Sequence, residues 1–367
     1  MLKHIDKWIG SYLKQESARL FCREKIVKPI HIMFSCVDHY EPDWNQADAR
    51  TQVNRVKRWV EEYPRLAKRH KDADGCHPKH TFFYPAECYT REHFDLLGQI
   101  CSQGLGEVEI HLHHDSDTEE TLTEKLIKAK NDFASHGFLG KRPLSPQIRF
   151  AFIHGNWCLN NSRSDKRFCG VNDETRILGE QGCYADFTFP SAPSETQPST
   201  INRLYYVKSN KTKAKTHNRG IPAKAGRPGN GDLLLVQGPL TLNWRQRKNG
   251  IFPRIENAEI SAANPPTEIR VDLWIRQRIS VEDKPDWIFL KVHTHGAPEK
   301  NADSLLGEPM DRMFTYLETQ YNDGANYVLH YVSAREMYNI IKAAEAGEKG
   351  LPGQYRDFII ERNQIHG

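Results

Sequence analysis

The 367-residue chain lacks any apolar run near the roughly 18 residues that a membrane-spanning helix needs. Its opening, MLKHIDKWIGSYLKQ, also lacks the unbroken apolar core of a signal peptide, because charged residues interrupt it. These absences argue against an integral membrane segment and predict a cytoplasmic protein. Residues 1–28 are instead expected to form an amphipathic helix that packs onto the body, with contact to a membrane surface as the alternative. Its apolar stripe is formed by Leu2, Ile5, Ile9, Tyr12 and Leu13.

The eight cysteines include no CxxC pair, which argues against zinc ribbons and thioredoxin-type redox motifs. We expect reduced, partly buried thiols, Cys22 among them. Internal repeats and long low-complexity linkers are also missing. With 38% hydrophobic and 27% charged residues, the composition excludes disorder, collagen and coiled coil.

Acidic residues are missing from residues 196–231, which carry eight lysines and arginines. The whole chain has a formal charge of +4, and without this stretch 43 basic residues face 47 acidic ones. The stretch is interpreted as a solvated basic loop, or as a surface that attracts an anionic substrate or lipid headgroup. No interleaved aromatic stripe accompanies the charge, so we expect no nucleic-acid partner.

Short apolar runs alternate with helical patterns along the chain, which is typical of βα units. The predicted strands include HTFFYP, GEVEIHLHHD, IRFAFIHGNW, CYADFTFPS and DWIFLKVHTHG. Helices are predicted over 90–102, 118–136 and 304–321, one after Val53 that stops near Pro64, and one that begins at Ser333 with a capping box. The pattern predicts an α/β fold, specifically one parallel α/β barrel over residues 29–345. A basic Pro/Gly-rich insertion at about 190–285 interrupts it, and residues 346–367 form a C-terminal tail.

Polar and ionisable residues follow several of these strands, where ligands bind in parallel α/β folds. His111 and His113 are two residues apart on a strand, so both imidazoles can point to one site and hold zinc or a similar divalent metal. Asp38 and His39 end the first strand. Asp38 is a candidate ligand or general base, and either residue is a candidate third metal ligand.

His293 and His295 form a second His-x-His pair, and one of them is a candidate general acid. His154, Asn156 and Trp157 offer hydrogen bonds and an aromatic face, which suits a sugar subsite. Glu87, at the end of the second strand, is a further candidate for substrate binding.

The order of these motifs over residues 30–332 resembles that of the polysaccharide deacetylases, the nodulation-type carbohydrate esterases. SCVDH resembles the family's first motif, a strand ending in two adjacent acids, with Asp-His in place of the acid pair. HTFFYP is similar to its second strand, EIHLHHD to its histidine metal motif and FLKVHTHG to its last motif. HGNW stands where the family has an Arg-Pro motif.

The resemblance implies a distorted (β/α)₇ barrel, a divalent metal, most simply Zn²⁺, and removal of an acetyl group from an N-acetylated or O-acetylated sugar. It implies that Asp38 is the base or a ligand and that His111 and His113 are ligands. It also implies that His293 or His295 protonates the leaving amine, and that Asp186, in CYADFTFPS, supports the base. A carbohydrate substrate follows from the same likeness; the basic stretch favours an anionic one, and the expected cytoplasmic location favours a carrier-linked one.

Other interpretations stay open. They are a metal-dependent glycosidase or amidohydrolase on a similar barrel, a non-catalytic carbohydrate-binding descendant and, least favoured by the βα pattern, an iron oxygenase. The sequence does not choose between Asp38 and His39 as ligand, and it does not give the oligomeric state.

Overall fold

The computed structural model describes residues 3–21 and 27–363. The predictions for Leu2, for Cys22 and for residues 364–367 of the tail lie outside the described residues. The described helices are α1 (Ile9–Phe21), α2 (Ala49–Ala67), α3 (Arg91–Ser102), α4 (Glu119–Ala134), α5 (Glu174–Glu180), α6 (Glu268–Arg276), α7 (Glu299–Leu305), α8 (Glu308–Gln320) and α9 (Ala334–Ala346).

The described strands are β1 (Ile30–His39), β2 (His80–Pro85), β3 (Gly106–Leu112), β4 (Gly140–Lys141), β5 (Ile148–His154), β6 (Cys183–Asp186), β7 (Leu204–Val207), β8 (Ile221–Pro222), β9 (Leu233–Val236), β10 (Thr241–Lys248), β11 (Phe252–Glu256), β12 (Glu259–Ile260), β13 (Trp287–Thr294), β14 (Tyr327–Tyr331) and β15 (Glu361–Arg362).

One large sheet organises the molecule, in the order β12-β13-β1-β2-β3-β5-β6-β9-β7-β8. All neighbours from β12 to β9 are parallel, and β14 also pairs in parallel with the first half of β1. The predicted α/β class is therefore confirmed, with a large and mostly parallel sheet. Among the described strands the hydrogen-bonded path does not return to its start, so no closed barrel is found.

The two faces of the sheet have separate apolar cores. Side chains at alternate positions of β1, such as Phe34 and Cys36, join a core with Trp59 of α2 and Phe94 of α3. The intervening positions, such as Val37, face the other core, which α9 covers. Because strand side chains alternate, each side chain of β1 faces one of these two cores.

Two helix predictions are corrected in detail. α2 continues past Pro64 to Ala67, because Leu66 and Ala67 are buried in the core and the amide of Lys68 bonds the Pro64 carbonyl. The helix predicted over 304–321 is divided between α7 and α8. Pro309 lies in the first turn of α8, where its missing N–H costs little. The capping box of Ser333 and Glu336 is present at α9.

The region 190–285 belongs to the body of the fold. Its strand β9 is buried and pairs in parallel with β6. Several of its cations are paired with acids: Arg203 with Glu282 and Lys224 with Asp283 inside the region, and Lys211 with Glu119 outside it.

The ends of the described chain pack on this body. Trp8 and Tyr12 are buried against Leu240 and Leu242, whereas Leu13 of the predicted stripe is 57% exposed. In the predicted tail, β15 pairs with β4. None of the described helices combines the length and apolar composition needed to cross a bilayer.

Candidate metal centre

Five ionisable side chains meet at the carboxyl ends of β1, β3 and β13. We call them the carboxyl-end centre: His39, Glu41, His111, His113 and His295. Glu41 is shared by two groups of possible ligand atoms, one with His111 and His113 and one with His39 and His295. In each group the ligand atoms lie within 4.8 Å of one another. The centre therefore surrounds one carboxylate with imidazoles.

His111 is oriented by the neighbouring strand. Its Nδ1 lies 3.1 Å from the carbonyl oxygen of Ile153, which can only accept a hydrogen bond, so Nδ1 carries the hydrogen. Its Nε2 lies 3.0 Å from Oε1 of Glu41. Burial lowers the pKa of His111, against the opposing effect of Glu41. In the neutral ring a lone pair of Nε2 then faces a carboxylate, and that contact calls for a cation between the two atoms.

His113 is held by two carboxylates. Its Nδ1 lies 2.6 Å from Oε1 of Glu87, and its Nε2 lies 3.2 Å from Oε1 of Glu41. Burial alone would lower the pKa of His113, but Glu41 and Glu87 outweigh it and raise that pKa to about 10. A Cβ on Gly155 would lie 2.2 Å from Cδ2 of His113, so only glycine allows this ring position.

His39 lies on the other side of Glu41. Its ring stacks on that of His295, with centroids 4.6 Å apart, and its buried Nδ1 has no hydrogen-bond partner. Burial, and then the neighbouring His295, lower the pKa of His39 well below its ordinary value. His39 is therefore a neutral imidazole with an unused nitrogen, which is the state that binds a metal.

The charge of Glu41 is balanced by imidazoles. Burial would raise the pKa of Glu41, but its contacts with His111 and His113 lower it well below its usual range. Among the described residues, neither Glu41 nor Glu87 forms an ion pair with lysine or arginine. The carboxyl-end centre thus fits a divalent cation, although one carboxylate and four imidazoles do not single out zinc.

Two tryptophans border the centre. Trp157 lies 6.0 Å from His39 and 6.1 Å from His295 between ring centroids, and Trp44 lies 5.3 Å from His295. Trp157 has a left-handed backbone, with φ of 56°. The turn after β5 therefore places an aromatic ring beside the imidazoles.

The structure does not bring Asp38 into the centre. Neighbouring strand residues point to opposite faces of the sheet, so Asp38 points away from His39, to the face that α2 and α3 cover. Its carboxylate lies 2.8 Å from Nε2 of His80. Its Oδ1 accepts a 2.7 Å hydrogen bond from the amide of Gly296, next to His295. We therefore assign Asp38 to positioning this loop and replace it with Glu41 in the ligand set.

His293 and Asp186 also lie outside the centre. Burial, and then Lys291, lower the pKa of His293, so that it stays neutral. Asp186 accepts hydrogen bonds from the amide and hydroxyl of Thr188, and burial raises its pKa to about 7. Of the second His-x-His pair, His295 belongs to the centre. Asp186 makes no contact with Asp38 or with Glu41.

The predicted sugar subsite is also redistributed. Glu87 orients His113, and the fully buried His154 faces Glu174, away from the centre. Trp157 stays at the centre, and Asn156 is half-buried in the same turn.

Sequence reasoning missed Glu41 and Trp44. Glu41 is two residues beyond His39, so the alternation that separates Asp38 from His39 was a signal for it. Trp44 lies in a loop, and no periodic pattern predicts where its ring points.

No family model matches the chain, and no curated protein matches it.

Proposed function

We propose that the protein is a metal-dependent hydrolase that removes an acetyl group from an N-acetylated or O-acetylated sugar in a polysaccharide or its precursor. The observation that carries this proposal is the carboxyl-end centre itself: among the described residues the carboxylate of Glu41 forms ion pairs with imidazoles alone, and His295 lies beside two tryptophans. The order of strand motifs, which resembles that of the deacetylases, also supports it. A distorted (β/α)₇ barrel is part of the same proposal.

Four side chains would hold the metal. Glu41, His111 and His113 make the closest contacts, and His39 adds its unpartnered nitrogen from the other side of Glu41. When bound, a divalent metal acidifies water and polarises a carbonyl oxygen, which is the chemistry that amide or ester hydrolysis needs. Zinc is the first ion to test, because imidazole and carboxylate ligands suit it.

His295 is the candidate proton donor to the leaving group. It is half-buried at the rim of the centre, and Asn301 binds its backbone carbonyl while Asp38 binds the next amide. These contacts fix the loop, so the imidazole can meet a leaving amine without reorganisation. Trp44 and Trp157 offer flat apolar faces on which a sugar ring can pack.

Acetate release tests the reaction directly. The purified protein is loaded with zinc and incubated with short oligomers of N-acetylglucosamine, and free acetate and free amine are measured together. We expect both products in equal amounts from the unmodified protein and none from His111→Ala.

A matched control is His330→Gln. His330 is a buried histidine of β14, which pairs with the first half of β1, far from the centre at the other end of that strand. It should keep activity. Metal bound at the centre without acetate release from any acetylated sugar would overturn the deacetylase proposal. That result would favour a glycosidase, an amidohydrolase or a carbohydrate-binding protein.

A further inference from the structure

A second group of ligand-type side chains lies directly behind the carboxyl-end centre. This buried cysteine cluster consists of His114, His154, Cys169 and Glu174. The four come from the end of β3, the end of β5, the following loop and α5, and every one is buried. Neither the proposed reaction nor the sequence analysis uses Cys169 or Glu174.

The orientation of His114 is that of a metal ligand. Its Nδ1 lies 2.9 Å from Oδ2 of Asp117, and its Nε2 lies 3.1 Å from Oε1 of Glu174. A carboxylate on the far nitrogen of an imidazole commonly fixes the tautomer of metal-bound histidine. Nε2 is then directed at the cluster.

The spacing of the other donors agrees. Sγ of Cys169 lies 3.3 Å from Oε2 of Glu174, and the ligand atoms of all four residues lie within 4.8 Å of one another. With bonds of about 2.0–2.3 Å, neighbouring ligand atoms of four-coordinate zinc lie roughly 3.3–3.6 Å apart. The donors are therefore close to coordination distance before any ion is added.

His154 supplies an independent sign that something is missing from the cluster. Backbone amides of Asn156 and Cys158 face its Nδ1 at 3.3 and 3.4 Å, so the hydrogen resides on Nε2. This buried Nε2 has no hydrogen-bond partner in the described part of the chain and lies 3.8 Å from Oε1 of Glu174. A buried N–H without an acceptor is costly. If Cys169 becomes a metal-bound thiolate, that N–H gains an anionic acceptor within the cluster.

We propose that this cluster is a second, structural metal site, in which His114, Cys169 and Glu174 hold a zinc-type divalent ion and His154 donates a hydrogen bond to the ligands. Thiolate and carboxylate together neutralise the two positive charges, so the buried site carries no net charge. The mixed sulfur, nitrogen and oxygen set favours zinc or cobalt over magnesium or calcium.

Metal binding forms the metal–sulfur, metal–nitrogen and metal–oxygen contacts and breaks the S–H bond of Cys169. The thiol proton leaves to solvent, while the ring hydrogen of His114 stays on Nδ1 beside Asp117, and no electron is transferred. His114 directly follows His113, and Gly155, which packs against His113, directly follows His154. The ion would therefore also fix the ends of β3 and β5, which shape the carboxyl-end centre.

Cobalt spectroscopy separates this site from the catalytic one. A thiolate bound to Co²⁺ gives an intense near-ultraviolet charge-transfer band, whereas the carboxyl-end centre, which contains no sulfur, gives none. The metal-free full chain is titrated with Co²⁺ and its spectrum is recorded. We expect one Co²⁺ per chain to contribute to the band, with release of one thiol proton at this site.

Cys169→Ser should abolish the band, and Cys88→Ser should keep it. Cys88 is the matched control because its Sγ also lies near a carboxylate, 3.2 Å from Oδ2 of Asp43. No band in the unmodified protein overturns the proposal even if Cys169→Ser fails to fold, and so does a band that survives Cys169→Ser. Failure of the proposed deacetylase activity leaves this readout unchanged.

Discussion

At the carboxyl end of β1, Glu41 is paired with imidazoles and with no arginine or lysine of residues 3–21 and 27–363, whereas near the amino end of the same strand the carboxylates are also paired with arginine. The second group, which we call the amino-end network, contains His31, Asp72, Asp74, His330, Glu336 and Arg356. Asp72, Asp74 and His330 also have ligand atoms within 4.8 Å of one another. By residue type and spacing alone, both groups could hold a metal.

The cation already present separates them. Arg356 lies 3.1 Å from Asp72, 2.9 Å from Asp74 and 3.1 Å from Glu336, so its guanidinium fills the place of a metal. His330 adds a 2.7 Å contact to Asp74. A buried carboxylate needs a positively charged partner. In the amino-end network Arg356 is that partner, whereas in the carboxyl-end centre the proposed metal ion would take this role.

The largest expected effect is on turnover. His295→Ala should lower the turnover number by roughly 10²–10⁴-fold, which is the usual contribution of a positioned proton donor to the rate. The number of metal ions bound per chain should be unchanged. Rates of acetate release and elemental analysis of the same samples check this. Loss of the metal together with activity would make His295 a ligand instead of the acid.

A stability effect is expected at the other end. Arg356→Met should lower the free energy of unfolding by about 3–5 kcal/mol, because it leaves Asp72 buried without its cation, whereas Glu336 keeps Lys79. Urea unfolding measures this change. Arg91→Met is the control, since the Arg91 side chain is 84% exposed and should change stability by less than about 0.5 kcal/mol. Equal effects from both variants would remove the distinction between the groups.

A moderate effect is expected from the carboxylate behind His113. Glu87→Gln should weaken metal binding by roughly 10–100-fold, because a neutral amide orients the imidazole but makes it a poorer ligand. Calorimetric titration with Zn²⁺ gives the affinity. The exposed Glu92→Gln should leave it unchanged. An unaltered affinity in Glu87→Gln would mean that His113 does not bind the metal.

The smallest effect concerns acid stability. Burial would raise the pKa of Asp74, but His330 and Arg356 outweigh it and lower that pKa to about 2. A carboxyl group whose pKa is lower in the folded protein stabilises the fold at pH values above its unfolded pKa. The free energy of unfolding should therefore fall by about 1–2 kcal/mol as the pH is lowered from about 4 to 2. Unfolding measured across this range should show a shallower slope in Asp74→Asn. An identical slope would remove Asp74 as the cause.

The sequence predicted the strands of the sheet and the start of α9 best. HTFFYP is β2, residue for residue, and Ser333 with Glu336 caps α9 as predicted, because these signals depend on neighbouring residues alone. The extension of α2 beyond Pro64 depends on burial of Leu66 in a core built from distant residues. Local patterns do not contain that information.

The site was readable in part for the same reason. Strand alternation brings His111 and His113 to one carboxylate, and it also turns Asp38 away from His39. The partner of Glu87 and the arginine beside Asp74 come from other segments of the chain. Which carboxylates are already compensated therefore becomes visible only in three dimensions.

The most direct test is the metal content of two matched variants, Glu41→Gln and Asp74→Asn, each dialysed, reloaded with zinc and analysed against the unmodified protein. Each replaces one carboxylate with an amide in a group of ligand-type side chains at opposite ends of the sheet. We predict that Glu41→Gln holds one equivalent fewer than the unmodified protein and that Asp74→Asn holds the same number. Loss of metal from Asp74→Asn, or full retention in Glu41→Gln, would contradict the assignment of the metal to the carboxyl-end centre.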